Sequence, residues 1–403
     1  MKILIVEPNS SGHHMAMHLR TIILKLQKTN HELSLLTTKA AKNSSIYKIL
    51  KKEMTKHINE YFIDEIEKNN SSVFQNIIWQ FKFWIKLKQK FSQISKINKP
   101  DIVLIPTLDW IVKAIEILGS PFGKTNFTGV YISPKHHRKK ANLGAASRQD
   151  WIYNFLFKKL LKIKTIKKLL IFEEDFIKYA SENYKELSHK IRFIPDFALI
   201  KKKSSKKDAR INLGIDQRSK VILVYGSLSL RKGIKELLMA MTHPNIPKDI
   251  VVLLAGKPDS DIKNIISKIE IKNLINKKKL FTCFKFHNSF EEQQAFAATD
   301  LVWLGYMHGF GHTSGILYQA IKCNLLVIGQ DSGVVGKYIK NYKLGKTVFP
   351  DKTDQVIKKI SDLLNQKKLY LKQGKIYRKN LKKIHSPEKF GQILLKTLQE
   401  SLS

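Results

Sequence analysis

Cysteine is scarce in this chain of 403 residues, and long apolar runs are absent. The two cysteines, Cys283 and Cys323, lie among apolar residues, so we expect neither a disulfide framework nor a cysteine-ligated zinc site. The four apolar residues after Lys2 are too few for a signal peptide, and no run approaches the roughly 18 residues that span a bilayer. These absences predict a cytoplasmic protein whose contact with a membrane is at most peripheral.

Acidic residues are few as well. Lys and Arg number 72 against 33 Asp and Glu, a net charge of +39 that favours anionic partners. Only eight of these bases are arginine, the side chain best suited to phosphate and guanine, and no helix-turn-helix, zinc-finger or aromatic stacking pattern accompanies them. Nucleic acid is therefore not the expected partner. The lysines form either solvated faces or a specific anionic-binding surface.

Short runs of Val, Ile and Leu alternate with longer helical patterns throughout the chain. Strands that are apolar at nearly every position are typical of a parallel sheet covered on both faces. The pattern predicts an α/β protein with two doubly wound, Rossmann-like domains. The predicted strands are Lys2 to Val6, Glu32 to Leu36, Asp101 to Ile105, Phe127 to Ile132, Leu169 to Phe172 and Ile191 to Ile194, then Val221 to Tyr225, Ile250 to Ala255, Leu280 to Phe284, Leu301 to Leu304 and Leu325 to Ile328.

A charged run without apolar residues, KKKSSKK at residues 201–207, predicts a linker between the two series of strands. We expect an N-terminal domain over residues 1–198, a C-terminal domain over residues 199–385, and a last helix over residues 386–403 that packs back on the N-terminal domain. Such sheets bind ligands at the carboxyl ends of their strands, so two facing domains would form a cleft.

A basic amphipathic helix is predicted from Phe74 to Ile97. Two interpretations of it remain open: a helix that lies on an anionic membrane, or a helix that covers the sheet before the strand at Asp101. The basic apolar stretch from Phe155 to Leu170 has the same two interpretations. The apolar residues at helical spacing in the first helix are Phe74, Ile77, Ile78, Phe81, Trp84 and Ile85.

A glycine-rich turn follows the predicted strand at residues 301–304. Its glycines, Gly309, Gly311 and Gly315, let main-chain N–H groups approach a ligand, and a helix is predicted from about Ser314 to Lys322. A helix N-terminus adds partial positive charge, so the turn is suited to a diphosphate. Thr313 or Ser314 would cap this helix or bind the ligand.

A second loop follows the strand at residues 221–225 and opens the next helix with Arg231, Lys232 and Gly233. Lys232 is expected at the carboxyl end of a strand, where a compact cation would stabilise a departing phosphate. The alternative is that it is one more solvated lysine.

The N-terminal half offers weaker candidates. The first strand leads into a polar loop that contains Gly12 and His13, but one glycine does not satisfy the dinucleotide-binding fingerprint. His14 and His18 share a helix face without an acidic partner, so we expect no metal there. His136 follows a predicted strand and is either a general base or an ordinary loop histidine.

Several segments, taken in order, resemble the carboxyl-terminal half of GT-B glycosyltransferases, especially family 4 (group 1). They are GSLSLRKGIKELLMAM, VVLLAGKP, FAATDLVWLGY with its glycine-rich turn, YQAIKCNLLVIGQDSGVVGKYI and LGKTVFP, and they cover about residues 220 to 365. The N-terminal half is similar more loosely, through MKILIVEPNSSGHH, HELSLLT, KPDIVLIPTLDW and KIRFIPDF.

This resemblance implies transfer of a sugar from a UDP- or GDP-linked donor to a saccharide or lipid-linked acceptor, in the synthesis of a cell-surface polysaccharide or glycoconjugate. It also implies retention of configuration, with no essential metal or separate cofactor. A lipid-linked acceptor would suit an anionic membrane surface at the inner face of the membrane. If His13 or His136 is a base opposite the donor, the product is inverted instead.

The resemblance also assigns residues. Lys232 would hold the donor diphosphate, with Arg231 as a second cation, and the Gly12 loop would approach the donor from the other domain. Gln319 would bind a ribose hydroxyl. The remaining donor-binding residues implied are Gly226, Ser227, Gly256, Gly309, Phe310, Gly311, His312, Thr313, Ser314 and Gly315.

Three positions depart from the family pattern. Family members usually carry an arginine where Ser227 stands, and two glutamates where Gly311 and Gln319 stand. The alternative to an enzyme is therefore a catalytically degenerate GT-B protein that binds a sugar or a partner.

Overall fold

Two parallel β-sheets organise the computed structural model, which describes residues 1–8, 14–66, 73–132, 134–145, 147–200, 204–307 and 309–402. The chain divides into two compact units. Unit 1 comprises Met1–Ala141, Ala146–Pro195 and Pro387–Ser403, and unit 2 comprises Asn142–Ala145 and Asp196–Ser386. The predicted class, α/β with two Rossmann-like sheets, is confirmed.

Unit 1 contains a seven-stranded sheet in the order β3-β2-β1-β4-β5-β6-β7, with every neighbouring pair parallel. Its core lies where the helices cover the sheet, and the central strands are buried along their length. The strands are β1 (Lys2–Val6), β2 (Glu32–Thr38), β3 (Ile58–Ile63), β4 (Ile102–Ile105), β5 (Asn126–Tyr131), β6 (Ile166–Ile171) and β7 (Ile191–Phe193).

The helices of unit 1 connect these parallel strands. A π-helical segment (His14–Leu19) precedes α1, and 3₁₀ turns lie at Leu108–Trp110 and Lys185–Lys190. The α-helices are α1 (Arg20–Leu26), α2 (Lys39–Asn43), α3 (Ser45–Glu53), α4 (Val73–Ile97), α5 (Val112–Leu118), α6 (Asp150–Lys162) and α7 (Glu174–Asn183).

Unit 2 contains a six-stranded parallel sheet in the order β10-β9-β8-β11-β12-β13. Its strands are β8 (Lys220–Tyr225), β9 (Ile250–Ala255), β10 (Leu280–Cys283), β11 (Leu301–Leu304), β12 (Leu326–Gln330) and β13 (Gly345–Val348). The chain winds outward from β8 through β9 and β10, then returns to β11 on the other side of β8. The boundary between β8 and β11 is therefore the topological switch point of this sheet.

The helices of unit 2 are α8 (Lys206–Asn212), a 3₁₀ turn (Leu230–Lys232), α9 (Ile234–Thr242), α10 (Ser260–Ile266), α11 (Ile269–Asn276), α12 (Ser289–Ala298), α13 (Gly315–Lys322), α14 (Gly333–Asn341), α15 (Thr353–Asn365), α16 (Lys367–Gln373) and α17 (Lys375–Ile384). The chain then returns to unit 1 as α18 (Pro387–Glu400), where Phe390, Leu394 and Leu398 are buried.

The predicted linker is wrong at its carboxyl end. Residues 201–203 lie outside the described residues, but Lys206 and Lys207 begin α8, because the Ser205 hydroxyl caps that helix by accepting from the Asp208 N–H. The observed change of unit falls between Pro195 and Asp196, ahead of the charged run.

The amphipathic helix predicted from Phe74 to Ile97 forms as α4. Its apolar stripe is divided: Trp84 is buried with Phe83 and Leu87 in the core of unit 1, whereas Phe74, Ile78 and Ile85 are exposed. The helix therefore covers the sheet, as one of the two interpretations holds, and also leaves apolar side chains in solvent. Within the described residues, no helix is long and apolar enough to cross a membrane.

Candidate functional site

The loops after β8 and β11 flank the switch point of the unit 2 sheet, where open α/β sheets bind their ligands. The loop after β8 begins at Gly226, whose φ is +94°. A Cβ on Gly256 would lie 1.8 Å from the Gly226 carbonyl oxygen, and a Cβ on Gly233 would lie 2.1 Å from the Gly305 carbonyl oxygen. Glycine is required at residues 233 and 256 because main chains pack directly against each other there.

Lys232 lies at the centre of this arrangement, and only 8% of it is exposed. Its ammonium group donates a hydrogen bond to the carbonyl oxygen of Tyr225, the last residue of β8. Its own carbonyl accepts from the Trp303 indole at 2.9 Å, which fixes the backbone against β11. Burial, with a smaller contribution from the charge of Arg231, lowers the pKa of Lys232 to about 7.

Arg231 links the two loops. Its guanidinium lies over the rings of Tyr306 and Phe310, at 5.5 Å and 4.9 Å from their centroids, and these rings stack on each other at 3.9 Å. Its carbonyl accepts from the Met307 N–H at 2.9 Å. Because the side chain is exposed, it can contribute a second positive charge near Lys232.

The N-terminus of α13 approaches the same point. The Ile316 Cδ1 lies 3.9 Å from the position of a Cβ on Gly226, and the Lys232 Nζ lies 3.3 Å from that position. Ser314 is the N-cap residue, but its hydroxyl pairs with the Tyr306 hydroxyl at 2.8 Å and does not cap the helix. The first N–H groups of α13 have no partners within the helix and carry its positive dipole end.

The glycine-rich turn is anchored by the last residue of β12 and the first turn of α14. Gly309 has a φ of +90°, the Phe310 carbonyl accepts from the Gln330 amide, and the Gly311 carbonyl accepts from the Val334 N–H at 3.3 Å. The His312 ring lies 5.8 Å from the Phe310 ring. Thr313 is half-buried, and Ser227 is exposed in the other loop.

The site also contains the carboxylate of Glu292, which the sequence did not reveal. Glu292 on α12 accepts a hydrogen bond from the Gln319 amide at 2.6 Å and is also hydrogen-bonded to Tyr225. Burial raises the pKa of Glu292, while both hydrogen bonds oppose that shift. The Gln319 Oε1 is buried and has no hydrogen-bond partner among the described residues. No motif marks Glu292, because it precedes Gln319 on a different helix.

The other candidates, Gly12, His13 and His136, belong to unit 1. Gly12 and His13 lie outside the described residues. His136, in unit 1, is 6% exposed and lies among aromatic rings, with its Nε2 at 2.7 Å from the Tyr184 hydroxyl. Burial lowers the pKa of His136 to about 3. This position gives no support to a general base, because the ring nitrogen is already paired in the core.

The site is therefore suited to binding a diphosphate group. Lys232 and the N-terminus of α13 lie near Gly226, and Arg231 adds a second positive charge beside Lys232, which suits a diphosphate. The Glu292 carboxylate and the Gln319 amide suit hydroxyl groups. Across the described residues, no group of three or more His, Cys, Asp or Glu side chains is arranged to hold a metal ion.

The chain is similar to known proteins in part of its sequence and in its fold. Residues 205–380 match the family model described as glycosyl transferases group 1. No curated protein matches the sequence significantly. Similar solved structures include sucrose-phosphate synthase from Thermosynechococcus elongatus, with a TM-score of 0.72 and 15% identity over 99% of this chain and 98% of that one.

Two further structures cover the same length. The Anabaena protein HepE in complex with UDP has a TM-score of 0.70 and 13% identity over 99% of this chain and 100% of that one. A glycosyltransferase from Rickettsia africae has a TM-score of 0.67 and 17% identity over 100% of this chain and 98% of that one. At these identities the structures establish the fold alone.

The chain has the GT-B fold of these solved structures, which confirms the predicted fold class. The match of residues 205–380 to glycosyl transferases group 1 confirms the predicted resemblance for that part of the chain. Membership of family 4 stays a prediction.

Proposed function

We propose that this protein transfers a sugar from a nucleotide diphosphate sugar to a saccharide or lipid-linked acceptor. The observation that carries the proposal is the convergence of Lys232 and the N-terminus of α13 on Gly226, at the switch point of the unit 2 sheet. UDP is the first donor nucleotide to test, because HepE was solved with it; GDP is the second.

In the proposed reaction, the bond between the anomeric carbon and the diphosphate breaks, and negative charge develops on the departing phosphate oxygen. Lys232, Arg231 and the N–H groups at Gly315 and Ile316 lie where they would stabilise that charge. Stabilisation of the leaving group is then the main catalytic contribution of unit 2.

We further propose that the sugar is transferred with retention and without an essential metal. The leaving phosphate oxygen would take the proton of the acceptor hydroxyl on the same face as the new bond. This route uses no base, which agrees with the burial of His136. Nuclear magnetic resonance of the product should show the anomeric configuration of the donor, and an inverted product would exclude this route.

The setting proposed is the synthesis of a cell-surface polysaccharide or glycoconjugate in the cytoplasm, on the inner face of the membrane. The charge of +39 supports it, because that face is rich in anionic lipids.

The first experiment is a thermal shift with UDP, GDP, CDP and ADP without divalent metal. One nucleotide should stabilise the wild type, Lys232→Ala should lose that shift, and Lys235→Ala should keep it, because Lys235 is an exposed lysine on α9. No shift with any nucleotide would contradict the proposed donor site. A shift without transfer or hydrolysis of any donor sugar would instead favour a degenerate, sugar-binding protein.

A further inference from the structure

Helices α4, α5 and α6 of unit 1 are neighbours, since α5 contacts both of the others. Helix α6 buries Phe157, Leu160 and Leu161 in the core, yet its opposite side leaves Trp151 71% exposed and Phe155 64% exposed. The two aromatic side chains are four residues apart on one side of the helix, so they form a single exposed apolar patch.

The exposed side of α6 has an ordered pattern. After Trp151 and Phe155, the same side continues with Lys158, Lys159 and Lys162, all exposed. Successive members of this series are three or four residues apart, so their side chains form one stripe along the helix. The stripe thus changes from aromatic at the N-terminal end to basic at the C-terminal end.

The charge of the three-helix layer is one-sided. Helices α4, α5 and α6 contain nine lysines and only two acidic residues, Glu116 and Asp150. Glu116 is buried and paired with the Lys113 ammonium at 2.8 Å, and Asp150 accepts from the Ser147 N–H at 2.9 Å. Exposed aromatic residues that continue into exposed lysines on the same helix match a bilayer that contains anionic lipids.

A cavity of about 620 Å³ lies among these helices and the loops after β4 and β5. Its walls combine Gln80, Gln149, Asp109 and the rings of Trp110 and Tyr153. Amides and a carboxylate suit a ligand rich in hydroxyl groups, and the volume is in the usual range for small-ligand sites.

The cavity adjoins the exposed side of α6. Ile117 on α5 and Ile152 on α6 both line the cavity, and both are exposed, at 44% and 37%. Ile152 follows Trp151 directly in α6. A ligand with a polar head in the cavity would therefore pass its apolar part over Ile117 and Ile152, beside Trp151.

We propose that the α4–α6 face docks on a bilayer containing anionic lipids, with Trp151 and Phe155 at its apolar boundary, and that the cavity receives the sugar head group of a membrane-anchored molecule. Docking stands independently of the proposed function. Only the identification of that molecule as the acceptor rests on it.

The docking is tested by sedimentation with phosphatidylcholine vesicles, with and without phosphatidylglycerol. The wild type should bind only the anionic vesicles, and W151A/F155A should bind them about tenfold more weakly. F286A/F290A is the matched control, because these phenylalanines of unit 2 are 65% and 60% exposed. Equal binding of W151A/F155A and wild type, or equal recovery with both vesicles, would overturn the proposal.

The head-group site is tested by calorimetry with monomeric dodecyl maltoside, dodecyl dimethylamine oxide and maltose. Dodecyl maltoside should bind most tightly, and Tyr153→Ala should weaken it about tenfold, as expected for loss of one cavity wall. Equal binding of the two detergents would overturn the head-group assignment. The UDP thermal shift is measured in parallel, and its absence in the wild type would count against the donor site alone. Hydrogen exchange of the β1 and β5 amides in unit 1, slow in W151A/F155A as in the wild type, would show that the docking variant is folded.

Discussion

Burial makes the charged form of Lys232 unfavourable, and among the residues that the structure describes its ammonium group has one hydrogen-bond acceptor, the main-chain carbonyl of Tyr225. A pKa of about 7 means that the free protein carries this charge on only about half of its molecules at neutral pH. A bound diphosphate would favour the charged form and raise the pKa. We therefore predict that nucleotide binding takes up a proton at Lys232.

The affinity for UDP should therefore decrease as the pH rises. The affinity for UDP should be highest below about pH 7 and fall by up to tenfold per pH unit above it, until the pKa of the complex is passed. Calorimetry in buffers of different ionisation enthalpy measures the proton uptake. Lys232→Met should abolish it while keeping the titration of the nucleotide itself. An affinity that does not change between about pH 6 and pH 9 would contradict the prediction.

Glu292 is predicted to bind hydroxyl groups of the donor. The Gln319 amide and the Tyr225 hydroxyl hold the carboxylate, and the main-chain carbonyl of the same tyrosine accepts a hydrogen bond from Lys232. Hydrogen bonds to a charged acceptor contribute about 1.5 to 3 kcal/mol, so Glu292→Gln should weaken UDP binding by about tenfold or more.

The matched control for Glu292 is the preceding residue. Glu291→Gln should leave UDP affinity unchanged, because that carboxylate completes the capping box of α12 with Asn288. The 2′-deoxy and 3′-deoxy analogues of UDP locate the contact. If Glu292 binds a ribose hydroxyl, the analogue that lacks this hydroxyl should bind the wild type and Glu292→Gln with equal affinity. If each analogue loses the same affinity relative to UDP in both proteins, Glu292 binds another part of the donor.

The turn between β8 and α9 shows how an element positions the site. Gly233 adopts a φ of +62°, and a Cβ there would lie 2.1 Å from the Gly305 carbonyl oxygen. Gly233→Ala should therefore cost more than the 1 to 2 kcal/mol of left-handed backbone alone, and should displace Lys232, so that the UDP shift is lost. Circular dichroism during chemical unfolding measures the cost.

Gly214→Ala separates backbone strain from close packing. Gly214 has a similar φ of +67°, but no atom lies within 4 Å of the Cβ position. This variant should lose only about 1 to 2 kcal/mol and keep its UDP shift. Equal costs for the two alanines would show that the main-chain contact at Gly305 is unimportant.

The strands differed in how well the sequence predicted them. The interior strands β1, β9 and β11 were predicted with their observed bounds, because they are apolar at nearly every position. The edge strands β3 and β13 were missed, since they are only partly buried and carry polar residues such as Asn59 and Lys346. The other two edge strands, β7 and β10, were predicted. Apolar runs therefore identify strands covered on both sides and miss those edges in which polar residues interrupt the run.

The same reasoning explains the site. Lys232 and the glycines were predictable, because a strand, a turn and a helix start follow one another in the sequence. Glu292 was not predictable, because only the tertiary fold brings α12 into contact with β8 and α13. Likewise, nothing local indicated that His136 would be buried among rings contributed by α6 and α7.

At the scale of the whole molecule, the carboxyl terminus completes unit 1. Helix α18 buries Leu394 fully, and Arg192 beside β6 donates to Thr397 at 3.1 Å and pairs with Glu400 at 2.6 Å. The last helix in the sequence therefore stabilises the sheet formed by the first residues. The proposed donor-binding residues of unit 2 are not involved in these contacts.

Leu394→Ala should accordingly destabilise unit 1 by about 2 to 5 kcal/mol, the usual cost of emptying a fully buried leucine site. Hydrogen exchange of the β1 and β5 amides measures that loss, and Leu402→Ala is the control, since Leu402 is 43% exposed. The UDP shift reports on unit 2 in the same samples and should persist in both variants. Slow, unchanged exchange in β1 and β5 of Leu394→Ala would mean that the sheet of unit 1 does not depend on α18.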